Sequence, residues 1–360
     1  MRKQWLAAAA LTVGLFGVQA QAGELKFSGK VFTDFSFKQN VDDATHATTE
    51  DSGTALDLKR FYLTAEYTYN ALLSARLRTD IGDKGAKRFD VFVKHAYLQL
   101  KFAPELWLRA GAADLPWVPW VEDRYGMRYV ENVLIDRVGV GTSADWGLHL
   151  GGEVKKGLLA YQVSVVNGRG YGDPSRSQSP TVEARLSSQP LPHLFVGVGG
   201  QVGKLGQAAP GVRTPNTASR LDALVAWSSP RVRLGVNGFY GKNDRAKIVT
   251  GAAPEDSATG VSGFGSVQLF PTLKPTLFAR VDWVQPSREL NPDLTDLYFD
   301  AGLELTPWEP LQVSLVCKRD HASTGAIAGT LSTSNGSIGS ASAGSGGSYQ
   351  EVGVFTQFVF

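Results

Sequence analysis

Arg60, Arg76, Arg78 and Arg109 stand in segments whose side chains alternate in character, each on the polar side. A guanidinium grips carboxylate or phosphate through two parallel hydrogen bonds, and a row of them lowers the barrier to a passing anion. Read as extended chain, these residues come from four neighbouring strands and form a basic ladder on one wall. The plainer alternative pairs them with Glu66, Asp80 and loop carboxylates, so that they only hydrate that face. Residue types alone weigh the two evenly.

A second group lies in the stretch at 114–145, which contains "DLPWVPWVEDRYGMRYVENVLIDRVGVG". It is too long for a turn and carries Arg124, Arg128 and Arg137 beside Glu122, Asp123, Glu131 and Asp136. Trp117, Trp120, Tyr125 and Tyr129 make it too apolar to float in solvent, so it is expected to fold inward and leave its charges at a constriction. Glu122, Asp123 and Glu131 are the acidic candidates there. A cap or subunit contact on the outer surface is the competing reading.

Other chemistries find little support. The histidines are His46, His95, His149, His193 and His321; only His95 and His149 fall mid-strand on polar faces, and no recognisable nucleophile or acid motif accompanies them. Cys317 is the sole cysteine, which excludes an intramolecular disulfide and a multi-cysteine metal site. No haem-attachment, P-loop or zinc-spacing pattern occurs. The expectation is a non-enzyme with no catalytic residue, cofactor or metal, and no nucleic-acid partner.

What must position these groups is a series of strands. In "ELKFSGKVFTDFSFK", Leu25, Phe27, Val31, Phe35 and Phe37 oppose Glu24, Lys26, Ser28, Lys30, Asp34, Ser36 and Lys38. Leu63, Ala65 and Tyr67 oppose Arg60, Thr64 and Glu66, and the same period of two recurs to the end of the chain. Short connections, near 70–71, 103–105, 156–157, 189–193, 228–231, 270–275 and 307–310, alternate with long ones at 39–55, 82–89, 114–145, 168–180, 204–218, 242–260, 286–296 and 319–348. Seven short turns and eight long loops join sixteen strands. The fold class expected is all-β: a single antiparallel transmembrane barrel with short periplasmic turns and long extracellular loops. The Gly/Ser/Ala-rich 319–348 stretch reads as flexible.

Composition agrees without deciding. Hydrophobic residues make up 43% of the chain, which suits a barrel greasy on only one face. Residues 1–22, "MRKQWLAAAALTVGLFGVQAQA", have the basic start, short apolar run and A-x-A end of a cleaved signal peptide, leaving the barrel at 23–360. Without Arg2 and Lys3 the acidic and basic residues are equal in number, so net charge names no partner. A soluble β-sandwich would also alternate. The charges on one face and the aromatics near strand ends, Tyr67, Tyr69, Trp107, Trp146, Trp227, Trp283 and Trp308 among them, favour lipid outside and water inside. An arginine at mid-depth facing lipid would cost about 2–4 kcal/mol, so the charged faces must line a lumen.

The last residues, "EVGVFTQFVF", alternate too and end on Phe358 and Phe360. They must form the closing seam, since an open edge cannot face hydrocarbon. The ending resembles the C-terminal signal read by the barrel-insertion machinery of outer-membrane proteins, with Thr356 the softest match.

The chain also resembles the phosphate-selective porin O and P family. The likeness rests on "LKRFYLTAEYTY", "KHAYLQLKF…LWLRAGAADLPW", the loop that follows, and "YQVSVVNGRGYGD…VEARLSSQP", in order across roughly residues 56–190. It implies a sixteen-stranded, trimeric channel in the bacterial outer membrane with one loop inside, bathed by membrane lipid and passing small hydrophilic solutes or anions. Phosphate selectivity does not follow, because no run of lysines matches a dedicated site. Passive diffusion with a mild preference for anions is the expectation. The alternatives are a structural or adhesive barrel with a plugged pore and, further off, an outer-membrane enzyme.

Overall fold

The computed structural model describes residues 23–48, 52–83, 89–176, 179–207, 216–324, 332–333, 336–338 and 345–360. The expected signal peptide, 1–22, lies outside the described residues. Sixteen antiparallel strands close into one barrel. They are β1 (Glu24–Asp42), β2 (Gly53–Thr68), β3 (Leu73–Asp83), β4 (Phe89–Ala103), β5 (Leu106–Asp114), β6 (Ala144–Val154), β7 (Leu159–Val166) and β8 (Thr181–Leu191). The second half comprises β9 (Leu194–Gly203), β10 (Ala218–Ser228), β11 (Val232–Lys242), β12 (Ser257–Gln268), β13 (Thr276–Gln285), β14 (Asp296–Trp308), β15 (Leu311–Thr324) and β16 (Ser345–Val359). Each strand pairs with its sequence neighbours, and β16 returns to β1.

The two faces separate as alternation requires. Phe27, Phe35, Phe37, Leu221, Val225, Leu315 and Val352 are exposed on the outside, while Asp34, Ser36, Arg220, Asp222, Asp282, Asp300 and Glu351 are buried inside. An apolar outer band on a sheet without free edges is the condition for spanning a bilayer by strands. Tyr67, Trp227, Trp283 and Trp308 are exposed close to strand ends, where a ring meets hydrocarbon and headgroups together.

Short turns are locally encoded. At Asn70 the side-chain carbonyl accepts hydrogen bonds from the N–H groups of Leu72 (2.9 Å) and Leu73 (2.8 Å), so one Asn organises the β2–β3 turn. The seam is equally direct. Thr33 and Thr356 face one another, their hydroxyls 2.6 Å apart, so each satisfies the other. Phe360 exchanges backbone hydrogen bonds of 2.7 and 3.0 Å with Gly29, and its ring occupies the space a Gly29 side chain would need.

Besides register shifts beside the short turns, at 101–103, 188–191 and 305–308, strict alternation fails at two mid-strand bulges. In β2, Arg60 pairs with Phe32 and Leu58 with Thr33, leaving Lys59 as the extra residue. In β4, His95 pairs with Arg78 and Val93 with Thr79, leaving Lys94 extra. A bulge places two successive residues on one face, so Lys94 and His95 are both buried toward the interior.

The loops hold structure that period-two reading leaves out. The β5–β6 connection carries two helices, α1 (Val118–Tyr125) and α2 (Leu134–Arg137). Pro119 suits the first turn of α1, where a missing N–H costs nothing. Gly126 ends the helix with φ +82°, a left-handed conformation that favours glycine, and the Arg233 guanidinium packs against it. A third short helix, α3 (Ala246–Val249), lies between β11 and β12. Of the Gly/Ser/Ala-rich stretch expected to be flexible, residues 325–331, 334–335 and 339–344 lie outside the described residues; Ile338 within it is fully buried with Leu294, Ala322 and Tyr349.

Candidate functional site

The inner face of β2–β5 is where the predicted arginines gather. They occupy three strands rather than four, because Arg76 and Arg78 are two residues apart on β3 and so share a face. Two of them have acidic partners. Arg76 donates to Glu66 at 2.5 and 2.9 Å, directly across the β2–β3 ladder, and Arg60 reaches Asp80 at 3.4 Å. The others do not. Arg78 donates to the Thr64 hydroxyl at 2.8 Å and lies 5.6 Å over the Tyr62 ring. Arg109 donates to the Gln99 carbonyl at 2.7 Å and lies 4.3 Å over Trp107 and 5.0 Å over Tyr97. Among the described residues, neither has a carboxylate within ion-pair distance.

Lys94, which alternation alone would aim at lipid, joins them. Its ammonium sits 4.9 Å over Tyr62 and 5.3 Å over Tyr171, with no carboxylate partner among the described residues. Lys59, the other bulge residue, pairs with the buried Asp34 at 3.4 Å. The sequence did hold a signal for both: mid-strand lysines cannot sit in hydrocarbon without a penalty, so "LKR" and "VKH" demand a break in the period.

The segment between β5 and β6 packs against inward-facing side chains from many strands. Its backbone carbonyls are captured by cations: Pro116 O by Arg185 of β8 (2.6 Å), Val140 O by Arg220 of β10 and Asp123 O by Arg233 of β11 (2.8 Å). Val130 O accepts from Lys318 of β15 (2.7 Å) and Asn132 O from Arg280 of β13 (2.5 Å). Tyr129 Oη donates to Glu304 at 2.6 Å beside Ser314, and its ring lies 6.3 Å from Phe32 of β1. Charge-assisted bonds of this kind each contribute about 1.5–3 kcal/mol.

Arg137 makes the densest contact. Its guanidinium, fully buried, binds Asp282 at 2.9 Å, Asp296 at 2.5 Å and Asp320 at 2.9 Å, and lies 4.6 Å over Tyr298. The remaining charged groups of the segment are mostly neutralised within it or by the wall. Arg128 binds Glu122 at 2.5 Å and Asp136 at 3.7 Å, and Glu131 binds Lys318 at 3.4 Å. Burial opposes the Arg128 charge, but Glu122, Tyr62 and Asp136 outweigh it and hold the guanidinium firmly protonated, its pKa raised. Burial likewise pushes the Asp136 carboxyl up, against the pull of Arg128. Arg124 differs: it lies over Trp120 and Phe195, with the mostly exposed Asp123 at 3.5 Å.

The two mid-strand histidines have structural partners. His149 contacts Ser164 Oγ at 2.9 Å and the Gly111 carbonyl at 3.3 Å, and His95 Nε2 lies 2.9 Å from Asp114.

No family model matches the chain, and no curated protein matches it by sequence. Solved structures do. An anion-selective porin from Comamonas acidovorans aligns at TM-score 0.64 and 10% identity, covering 94% of this chain and 100% of that one. The trimer form of OmpT, an outer membrane protein of Vibrio cholerae, aligns at 0.62 and 15% identity over 94% and 100%. The outer membrane channel DcaP of Acinetobacter baumannii aligns at 0.61 and 12% identity over 96% and 100%. The likeness is one of fold. Together with the apolar outer band and the charged interior, it shows a closed sixteen-stranded barrel with the fold of these outer-membrane proteins.

Proposed function

We propose that the protein is a porin through which small hydrophilic solutes diffuse passively, with a preference for anions such as phosphate. The observation that carries the reading is the β2–β5 wall, where Arg78, Arg109 and Lys94 face the interior without a carboxylate partner among the described residues. Unpaired cations along a passage attract anions, whereas neutralised ones only hydrate it. The segment 115–143 supplies the narrowing: held by β8, β10, β11, β13 and β15, it leaves the passage bounded by the basic wall.

The residues that resemble the phosphate-selective porin O and P family support placing the chain with that family, and assembly as a homotrimer comes with that placement. Residues 1–22 act as a signal peptide, and the Phe358–Phe360 ending is the segment handed to the barrel-insertion machinery. The partners of His95 and His149 suit a structural use of both rings better than catalysis, which favours transport over an enzyme.

Single-channel recording in planar bilayers tests this. Stable open steps, with a reversal potential of anion sign in a KCl gradient, are expected. Silence from correctly folded barrels would favour the plugged, adhesive alternative.

A further inference from the structure

At the short-turn end of the barrel a cavity of about 380 Å³ opens between α1 and the inner faces of β5–β9. Its size falls in the range of small-molecule sites. Three guanidiniums line it, and each is held over an aromatic ring. Arg124 lies 4.8 Å over Trp120 and 4.5 Å over Phe195; Arg185 lies 5.2 Å over the same Trp120; Arg109 lies 4.3 Å over Trp107. A guanidinium fixed against a ring keeps its in-plane N–H donors for an acceptor.

Those donors are only partly used: Arg124 donates one nitrogen to Trp120 O at 3.0 Å and Arg109 donates Nε to the Gln99 carbonyl at 2.7 Å. Arg185 spends one nitrogen on Pro116 O, while its Nε is buried with no hydrogen-bond partner among the described residues. Arg109 and Arg185 have no carboxylate partner there, and the Asp123 that meets Arg124 is turned mostly to solvent. Of the other charged groups on the lining, Asp114 lies 2.9 Å from His95, and Glu153 and Lys156, one of each sign, stand at the exposed rim. Two like charges on one indole, with an orphaned donor between α1 and the wall, lack one component: an anion with more than one acceptor oxygen.

We infer that this cavity is a subsite for a small oxyanion, a carboxylate or a phosphate, at the periplasmic mouth of the passage. The inference rests on the porin reading above. It adds a place where an anion pauses after, or before, crossing the constricted region, distinct from the β2–β4 part of the basic wall. The forked geometry favours ions that accept two parallel hydrogen bonds over chloride, which accepts none in that pattern.

The test is block of chloride current through the full mature protein in planar phosphatidylcholine bilayers. Sodium succinate and inorganic phosphate are added in separate arms to either side. At least one is expected to block from the periplasmic side at a several-fold lower concentration than from the other. Block by both identifies the shared oxyanion chemistry; block by one identifies its source. Arg124→Gln with Arg185→Gln should raise the half-blocking concentration at least tenfold. Should that pair fail to form a heat-modifiable barrel, Arg124→Lys with Arg185→Lys keeps the charges and removes the forks, and at least a threefold rise is expected. Open steps with no block, equal block from both sides, or block unchanged in the variants would overturn the subsite while leaving the porin reading intact. An absence of open steps in the wild-type protein would end both.

Discussion

Two arcs of the barrel wall carry arginines and lysines, yet they use them in opposite ways. On β8–β15, Arg185, Arg220, Arg233, Arg280 and Lys318 point their nitrogens at carbonyls of the 115–143 segment. The acids of that arc, Asp282, Asp296 and Asp320, hold Arg137 from the segment itself. On β2–β5, Arg78, Arg109 and Lys94 have, among the described residues, hydrogen-bond and ring contacts to neutral oxygens and aromatic rings and no ion pair. Apart from Arg185, whose Nε has no hydrogen-bond partner among the described residues, the first arc is consumed in holding a loop, while the second is left for whatever passes. Counting lumen charges therefore says little about selectivity until each is traced to its partner.

The largest effect should come from breaking the consumed arc at its centre. Arg137→Ala strands three buried carboxylates, and removing one member of such a cluster costs about 3–5 kcal/mol. A lower thermal midpoint in detergent and rapid current flicker are expected. A variant that melts and conducts like the parent would show that the hub does not hold the segment.

Next in size is the free arc. Arg78→Gln with Arg109→Gln should leave the thermal midpoint nearly unchanged and move the reversal potential toward cation preference. A potential that stays put would remove the basis for the anion preference. Lys94→Gln should move it the same way by a smaller step, since one charge is lost in place of two. Were Lys94 lipid-facing, the replacement would change assembly and leave the potential alone. The control is Glu66→Gln with Arg76→Gln, which deletes a pair whose charges already cancel. Here the smallest shift is expected, close to none.

A prediction at the seam concerns assembly instead of selectivity. Deleting Phe360 removes the ring packed over Gly29 and two backbone hydrogen bonds. Outer-membrane levels should fall while the conductance of barrels that do form stays near the parent value. Equal levels would mean the closing contact is dispensable.

Alternation and turn lengths made the barrel legible, because both are local: a period of two says which side chain meets lipid, and Pro or Asn marks where the ladder stops. Thr356, an apparent flaw in the outward row, became intelligible only against Thr33, its cross-strand partner from the far end of the chain. Lys59 and Lys94 escaped the period because a bulge shifts the phase by one residue, although their cost in hydrocarbon pointed to it. The helices α1 and α2 escaped because they are short and sit in a segment whose composition speaks only of burial.

By itself, then, the order of residues settled what is local: strands with one oily and one wet face, and the number of them needed to use up the chain. Whether Arg78 is free and Arg280 spent is not local. It depends on where a loop from residues 115–143 lands against strands that follow it by up to some two hundred positions, and only closure of the cylinder brings those groups within hydrogen-bond reach.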